Sequence, residues 1–419
     1  MDTIMTETLE PDALLSIAAL VASDGAPRLA AGRPPLMAFV DAETDRVIQE
    51  ASVALGRGVI MRGGIAKAIE YLSEQRSPHL LIVDISGVSL PLSQIHILAD
   101  VCEPGTTVVA LGDQNDVGLY RDLQEAGVSH YIVKPLTREL LTKALTPKPT
   151  NGEITRPALK LGKMVSFVGA RGGVGATTLA CNLAWHLANR QSRRVALVDL
   201  DQQHGDCALL FNINIAPGFR DALANPLRLD HLLLDRIMTQ VGERLFVLGG
   251  EQPLHDNLQF PASAIDTLFS VLRSQFHYVI VDVPRIPAPA YRRALEIADR
   301  RVIVVDQTMR SMRDAVRFAK LFAETGAPGT EHSEHRNIFV VNRVGEVGHQ
   351  AVALKDVQKT LQVQPTSLIP FLPALVTPSA HNGLAAASKR GKFADAVTTL
   401  ATELSGRKRR RGWRFWRAK

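Results

Sequence analysis

The sequence predicts an α/β protein made of two successive parallel-sheet units, and three observations lead there. Short apolar runs alternate with polar-faced helical stretches from residue 36 to 145. A second series of apolar runs begins at MVSFV (164–168), and its members end in a glycine-rich turn or a carboxylate, at the strand end where an open α/β sheet presents ligands. The chain has 419 residues, 46% of them hydrophobic and 21% charged, so it exceeds the roughly 250–300 residues at which a single core stops growing.

Residues 1–35 form an N-terminal extension. Asp2, Glu7, Glu10 and Asp12 precede a short apolar run, Ala13–Ala22. That run lacks the positive flank of a secretory signal and falls short of the ~20 residues needed to span a bilayer, so a cytoplasmic protein is expected. Cys102, Cys181 and Cys207 are odd in number and widely spaced, which indicates neither a disulfide framework nor a zinc site. They are expected to be small buried residues in a reducing compartment.

Residues 36–146 carry the runs LMAFV, GVIM, LLIV, TVVAL and SHYIV, five βα repeats that predict a flavodoxin-like fold. Asp84 follows the third strand and Lys134–Pro135 the fifth, and the segment thereby resembles a response-regulator receiver domain. The resemblance implies a phosphoacceptor at Asp84, assisted by Lys134 and by a strand-one acidic pair that holds Mg²⁺. Here the pair is reduced to Asp41, followed by Ala42, and Gly112 stands where a Ser or Thr would respond to phosphorylation. One carboxylate holds the metal poorly, so a pseudo-receiver used for docking is expected.

Pro147, Pro149, Asn151, Gly152 and Pro157 mark a linker over 147–162, and a nucleotide-binding domain is expected over 163–405. ARGGVGATT (170–178) lies between the apolar run MVSFV and an amphipathic run, Thr178–Arg190. Gly172, Gly173 and Gly175 allow successive backbone N–H groups to turn inward on phosphate, and Thr177 offers a hydroxyl to Mg²⁺. The usual lysine is missing, since Ala176 occupies its place. The next strand, VALV (195–198), leads into Asp199 and Asp201, and YVIV (278–281) into Asp282. Carboxylates at strand ends near a glycine-rich loop are what a magnesium nucleotide site requires.

With those residues in place the segment resembles the MinD/ParA family of deviant Walker A ATPases. The resemblance implies ATP and Mg²⁺ as cofactors and a homodimer closed around two nucleotides. It implies a phosphate cradle of Arg171, Gly172, Gly173, Val174, Gly175, Ala176, Thr177 and Thr178, with Arg171 at the signature cation position that reaches the partner's phosphates. Asp199 and Asp201 fall on switch I, with Asp201 as the catalytic candidate, and Asp282 on the Walker B region; the metal would be held by Thr177, Asp199 and Asp282. Asn342 in VVNRVG (340–345) and Pro370 in IPFLP (369–373) fall on the adenine side. More narrowly, DLDQQHGD (199–206), FRDALANPLRLD (219–230), VDVPR (281–285) and VVDQTMRSMRDA (304–315) resemble the CpaE/TadZ branch. That branch serves assembly of Tad (Flp) type IV pili at a cell pole, so pilus-machinery proteins are the implied partners.

Arg171 keeps a cation with a planar fork suited to phosphate, while Ala176 keeps none. Deleting one electrostatic stabiliser of a transition state costs about 2–4 kcal/mol, on the order of 10²–10³ in rate, so binding without efficient hydrolysis is expected. Three alternatives share these residues: a working ParA-like partition ATPase that binds DNA, which Ala176 disfavours; an output protein controlled by phosphorylation of Asp84, which Ala42 disfavours; and a nucleotide-free scaffold with a vestigial loop.

The formal charge of +6 resides in the tail 406–419: residues 407–419 hold eight Lys or Arg, and removing them from 48 leaves 40 against 42 acids. Trp413, Phe415 and Trp416 interleave those cations. Aromatics at the headgroup level plus about 1 kcal/mol per cation favour an anionic inner-membrane surface; a nucleic-acid arm uses the same residue types and is the less favoured partner.

Overall fold

The computed structural model describes residues 33–55, 58–137, 139–141, 161–255, 260–324, 336–346 and 352–405. The chain divides into two compact units, Met1–Leu161 and Gly162–Lys419. The tail 406–419, the extension up to residue 32 and the linker up to residue 160 lie outside the described residues.

The first unit contains β1 (Leu36–Val40), β2 (Val59–Arg62), β3 (Leu80–Asp84), β4 (Thr107–Gly112) and β5 (His130–Val133). All pair in parallel, in the order β2-β1-β3-β4-β5. Helices on both faces bury the central strands twice over, which is why they read as unbroken apolar runs. Met37 and Phe39 pack into one core with Leu81 and Val83, while Leu36, Ala38 and Val40 pack into the other with Ile82 and Leu111. Buried Arg33 donates to the carbonyls of Ser77, Pro78 and Pro104, so its charge is solvated by backbone oxygens. The flavodoxin-like expectation for this unit holds.

The second unit carries eight strands in the order β13-β12-β11-β6-β10-β7-β9-β8. They are β6 (Lys163–Gly169), β7 (Val195–Asp199), β8 (Thr239–Val241), β9 (Leu245–Leu248), β10 (Tyr278–Asp282), β11 (Arg300–Val305), β12 (Asn337–Val344) and β13 (Ser367–Pro370). Among the described residues β8 alone runs antiparallel, as the first arm of a hairpin that turns through Gly242 at φ +72° into β9. The doubly wound parallel sheet is therefore as expected, with one antiparallel edge strand added. From β6 the chain first builds toward β7 and later returns to place β11 on the other side, so the carboxyl end of β6 faces the switch point where such sheets bind ligands.

The helix Ala176–Arg190 departs from the amphipathic expectation. Nine consecutive or near-consecutive positions from Leu179 to Ala188 are buried, because the sheet covers one side while residues 386–388 and the helix Lys392–Ser405 cover the other. Asn182, buried within it, accepts from the Ala387 N–H at 2.8 Å and donates to the Thr178 carbonyl at 2.8 Å, so neither end of the amide is stranded.

Candidate nucleotide-binding site

The loop 170–175 joins β6, one of the two middle strands, to that buried helix, and three contacts set its shape. The Ala170 N–H donates to the Val304 carbonyl at 2.8 Å, fastening the loop's start to β11. Val174 is buried, and its carbonyl accepts from Asn342 Nδ2 at 2.8 Å. Gly175 caps the helix in the left-handed region at φ +91°, and a Cβ there would collide with the Asn342 amide. Glycine is thus required twice over at 175. Gly172 and Gly173 are exposed, and the space where a Gly172 Cβ would stand is open. Open loop N–H groups in front of a 15-residue helix suit phosphate.

Arg171 is held between Asp306 and the loop's own backbone. Its Nε donates to Asp306 Oδ2 at 2.8 Å, a second guanidinium N–H bonds the same oxygen, and Nη1 donates to the Gly172 carbonyl at 2.8 Å. Asp306 is only 2% exposed and follows β11 directly, so the pair spans the switch point. Sequence reasoning missed Asp306. The signal was present, since VVD at the end of an apolar run is the same pattern that singles out Asp199 and Asp282.

Those two aspartates end adjacent strands in direct register, β7 and β10. Register brings two buried carboxylates side by side. Thr177 Oγ1 donates to Asp282 Oδ2 at 2.5 Å; Asp199 accepts from the Asp201 N–H at 3.1 Å and the Cys207 N–H at 3.1 Å. Burial pushes Asp282 up to about 7, helped by the charge of Asp199, and burial pushes Asp199 up to about 6 despite its backbone bonds. A cation between them would reverse both shifts. Cys207 completes a group whose possible ligand atoms lie within 4.8 Å of one another. A hydrogen bond to Cys181, and burial, hold the Cys207 thiol well above its usual range, so it is a poor ligand beside two carboxylates. Thr177, Asp199 and Asp282 form a hard-oxygen set that fits Mg²⁺.

Asp201 is placed differently. Its Oδ1 accepts from the N–H groups of Gln203 (3.3 Å) and His204 (2.9 Å), which shapes the turn after β7. Gly205 then passes so close to Asp199 that any Cβ there would collide with the carboxylate. Asn342 braces the loop as described, and Pro370 ends β13 opposite Val344, two residues beyond Asn342. Thr178 and Ala176 are half-buried on the first turn of the helix.

In the first unit Lys134 bridges both candidate carboxylates, bonding Asp84 Oδ2 at 2.5 Å and Asp41 Oδ2. The Lys134 bond holds Asp41 down to about 2, below its ordinary value. At Gly112 a Cβ would run into the Tyr131 phenol, whose hydroxyl donates to the Gln114 carbonyl at 2.8 Å. The place of a strand-four hydroxyl is filled by a ring from the next strand.

These features give the second unit the fold of a P-loop domain. Residues 162–326 match the family profile of the AAA domain. The septum site-determining protein MinD of Helicobacter pylori is 23% identical over 211 residues, 49% of this chain and 77% of that protein. MinD of Synechocystis is 26% identical over 217 residues, 51% of this chain and 76% of that protein. Among solved structures, a ParA family ATPase from Chlorobium tepidum superposes with a TM-score of 0.51 at 21% identity, covering 57% of this chain and 98% of that one. A pilus assembly protein CpaE from Caulobacter crescentus is 32% identical over 27% of this chain and 93% of that one, with a TM-score of 0.25. The second unit is MinD/ParA-like. Among the described residues no helix is long and apolar enough to cross a membrane.

Proposed function

We propose that the protein binds ATP with Mg²⁺, hydrolyses it slowly or not at all, and as a nucleotide-closed homodimer positions the Tad pilus assembly machinery at the inner face of the cytoplasmic membrane. The observation that carries the nucleotide reading is the exposed Gly172–Gly173 turn before a helix N-terminus, with Thr177, Asp199 and Asp282 gathered close by. The loop N–H groups would take the phosphate oxygens, and bound Mg²⁺ would supply charge neutralisation there. Thr177, Asp199 and Asp282 would hold that ion, Asp199 and Asp282 losing their protons to do so. Asn342 keeps the loop in its cradle shape through Val174.

Ala176 leaves transferring charge without its usual cation, and Asp306 and the Gly172 carbonyl already occupy the donors of the remaining one, Arg171. Asp201, occupied with its own turn, would act on a nucleophile only after that turn rearranges. The pilus role rests on the sequence blocks DLDQQHGD, FRDALANPLRLD and VDVPR, and membrane contact on the aromatic and basic residues of 407–419.

Calorimetric titration of Mg-ATP into the purified protein, paired with phosphate release, tests the core of this reading. Saturable binding with turnover at background is the expected result, and Ala176→Lys is expected to raise turnover by about 10²-fold or more. No heat of binding at millimolar ATP would refute nucleotide binding. Fast wild-type turnover abolished by Asp201→Ala would refute the slow-hydrolysis part.

A further inference from the structure

A second concavity lies beside the nucleotide site and is made of different residues. The loop after β10, Pro284 to Pro289, and the helices Pro289–Glu296 and Met309–Glu324 enclose a groove of about 550 Å³. Its lining is mostly apolar: Tyr291 and Phe322 at the floor, Ile286, Phe318 and Leu321 on the walls. Ile286 is 48% exposed although it is aliphatic, and Pro284, Pro287 and Pro289 fix the loop that presents it. The groove falls within the ~300–1,000 Å³ range of sites that receive a ligand or side chains, and its rigid rim lowers the ordering cost of binding.

Arg285 and Arg292 line the groove, and Arg317 lines a concavity that adjoins it through Arg285, Phe318 and Leu321. Arg310, Arg313, Arg317 and Lys320 recur at i, i+3, i+7 and i+10 along the helix Met309–Glu324, and all four are exposed. Arg285 joins them from the proline loop. One carboxylate, that of Asp314, answers three of these guanidiniums: Arg285 at 3.2 Å, Arg313 at 3.0 Å and Arg317 at 3.6 Å. Asp314 is buried and is one carboxylate for three guanidiniums, so this side of the groove keeps an excess of positive charge.

An apolar trough edged by arginines matches a helix that carries aliphatic residues on one face and carboxylates beside them. We propose that this groove docks an acidic amphipathic helical segment of a partner protein. Nucleic acid would use the arginines but has no need of the trough; a lipid surface is flat where this site is concave. The proposal is independent of nucleotide, because none of the lining residues belongs to the phosphate loop or the carboxylate pair.

The probe is a fluorescein-labelled helical peptide of roughly 16 residues, with Leu at i, i+3 and i+7 positions and Glu on the flanking ones, titrated with the full-length protein. Saturable anisotropy change is expected with and without Mg-ATP, together with failure of the same peptide in which Lys replaces Glu. Arg313→Glu combined with Arg317→Glu is expected to weaken binding by about tenfold or more, with a similar loss in Ile286→Glu, whose exposed site tolerates a charge in the folded state. Equal binding by either variant, or equal binding of the lysine peptide, overturns the proposal. So does a protein that ignores the acidic peptide and instead binds duplex DNA or phosphatidylserine vesicles through these arginines.

Discussion

Replacing Asp306 by Asn separates the two tasks between which Arg171 is divided. In the wild type two guanidinium N–H groups converge on Asp306 Oδ2, and Asp306 Oδ1 accepts from Thr308 Oγ1 at 2.8 Å. Asparagine keeps the shape but loses the charge, and its NH₂ cannot accept from both neighbours. Charge-assisted bonds of this kind contribute about 1.5–3 kcal/mol each, while breaking a fully buried pair costs ~3–5 kcal/mol. The Arg171 side chain is 23% exposed and can swing to water, so a stability loss of about 1–3 kcal/mol is expected. With ATP present, the released guanidinium can bond phosphate. One new charge-assisted bond of ~1.5–3 kcal/mol corresponds to roughly 10- to 100-fold tighter binding. Calorimetric titration of Mg-ATP into wild type, Asp306→Asn, Arg171→Ala and the double variant measures this, with thermal melts confirming that each is folded. The gain should disappear when Arg171 is also removed. A folded Asp306→Asn protein with unchanged or weaker affinity, or a gain that survives in the double variant, refutes the reasoning.

The raised pKa values of Asp199 and Asp282, about 6 and about 7, mean that the free protein carries protons there which Mg²⁺ must expel. Because the folded values lie above those of the unfolded chain, these groups lower stability as pH rises from the usual carboxylate range toward 7, and metal affinity rises over the same interval. Titrations in buffers of different ionisation heat should report proton release on Mg-nucleotide binding at pH 6 and little at pH 8.5; equal heats in all buffers would exclude it. Gly175→Ala forces a side chain into the left-handed region and against Asn342, at a cost of about 1–3 kcal/mol that a denaturant melt will register, and it should weaken nucleotide binding as well. Acetyl phosphate with Mg²⁺ should leave the intact mass unchanged, because Asp41, already paired with Lys134, is the one strand-one carboxylate left to hold the metal; an adduct of about 80 daltons, one phosphoryl group, lost in Asp84→Ala would show a working receiver.

Much of this architecture could be read in advance because parallel strands buried on both faces appear as uninterrupted aliphatic runs. LMAFV, LLIV, MVSFV and YVIV became β1, β3, β6 and β10 with boundaries shifted by a residue at most. Thr239–Val241 was invisible for the opposite reason: three residues at an edge, one of them glutamine, carry no periodicity. The glycine loop and the aspartates were legible because strand ends and tight turns leave local marks. The helix behind the loop misled, since tertiary cover from residues 386–405 buries positions whose sequence looks half-polar. The Arg171–Asp306 pair joins positions 135 residues apart, and only the sheet order places them together.

Tyr131 overlying Gly112 leaves no free space for a side chain at the end of β4 in the first unit. A serine or threonine introduced at 112 meets the phenol, whereas trimming Tyr131 removes the ring's packing and its bond to the exposed Gln114 carbonyl. The two positions are therefore coupled: a side chain at 112 and the ring at 131 compete for one space, and a change at either is felt at the other.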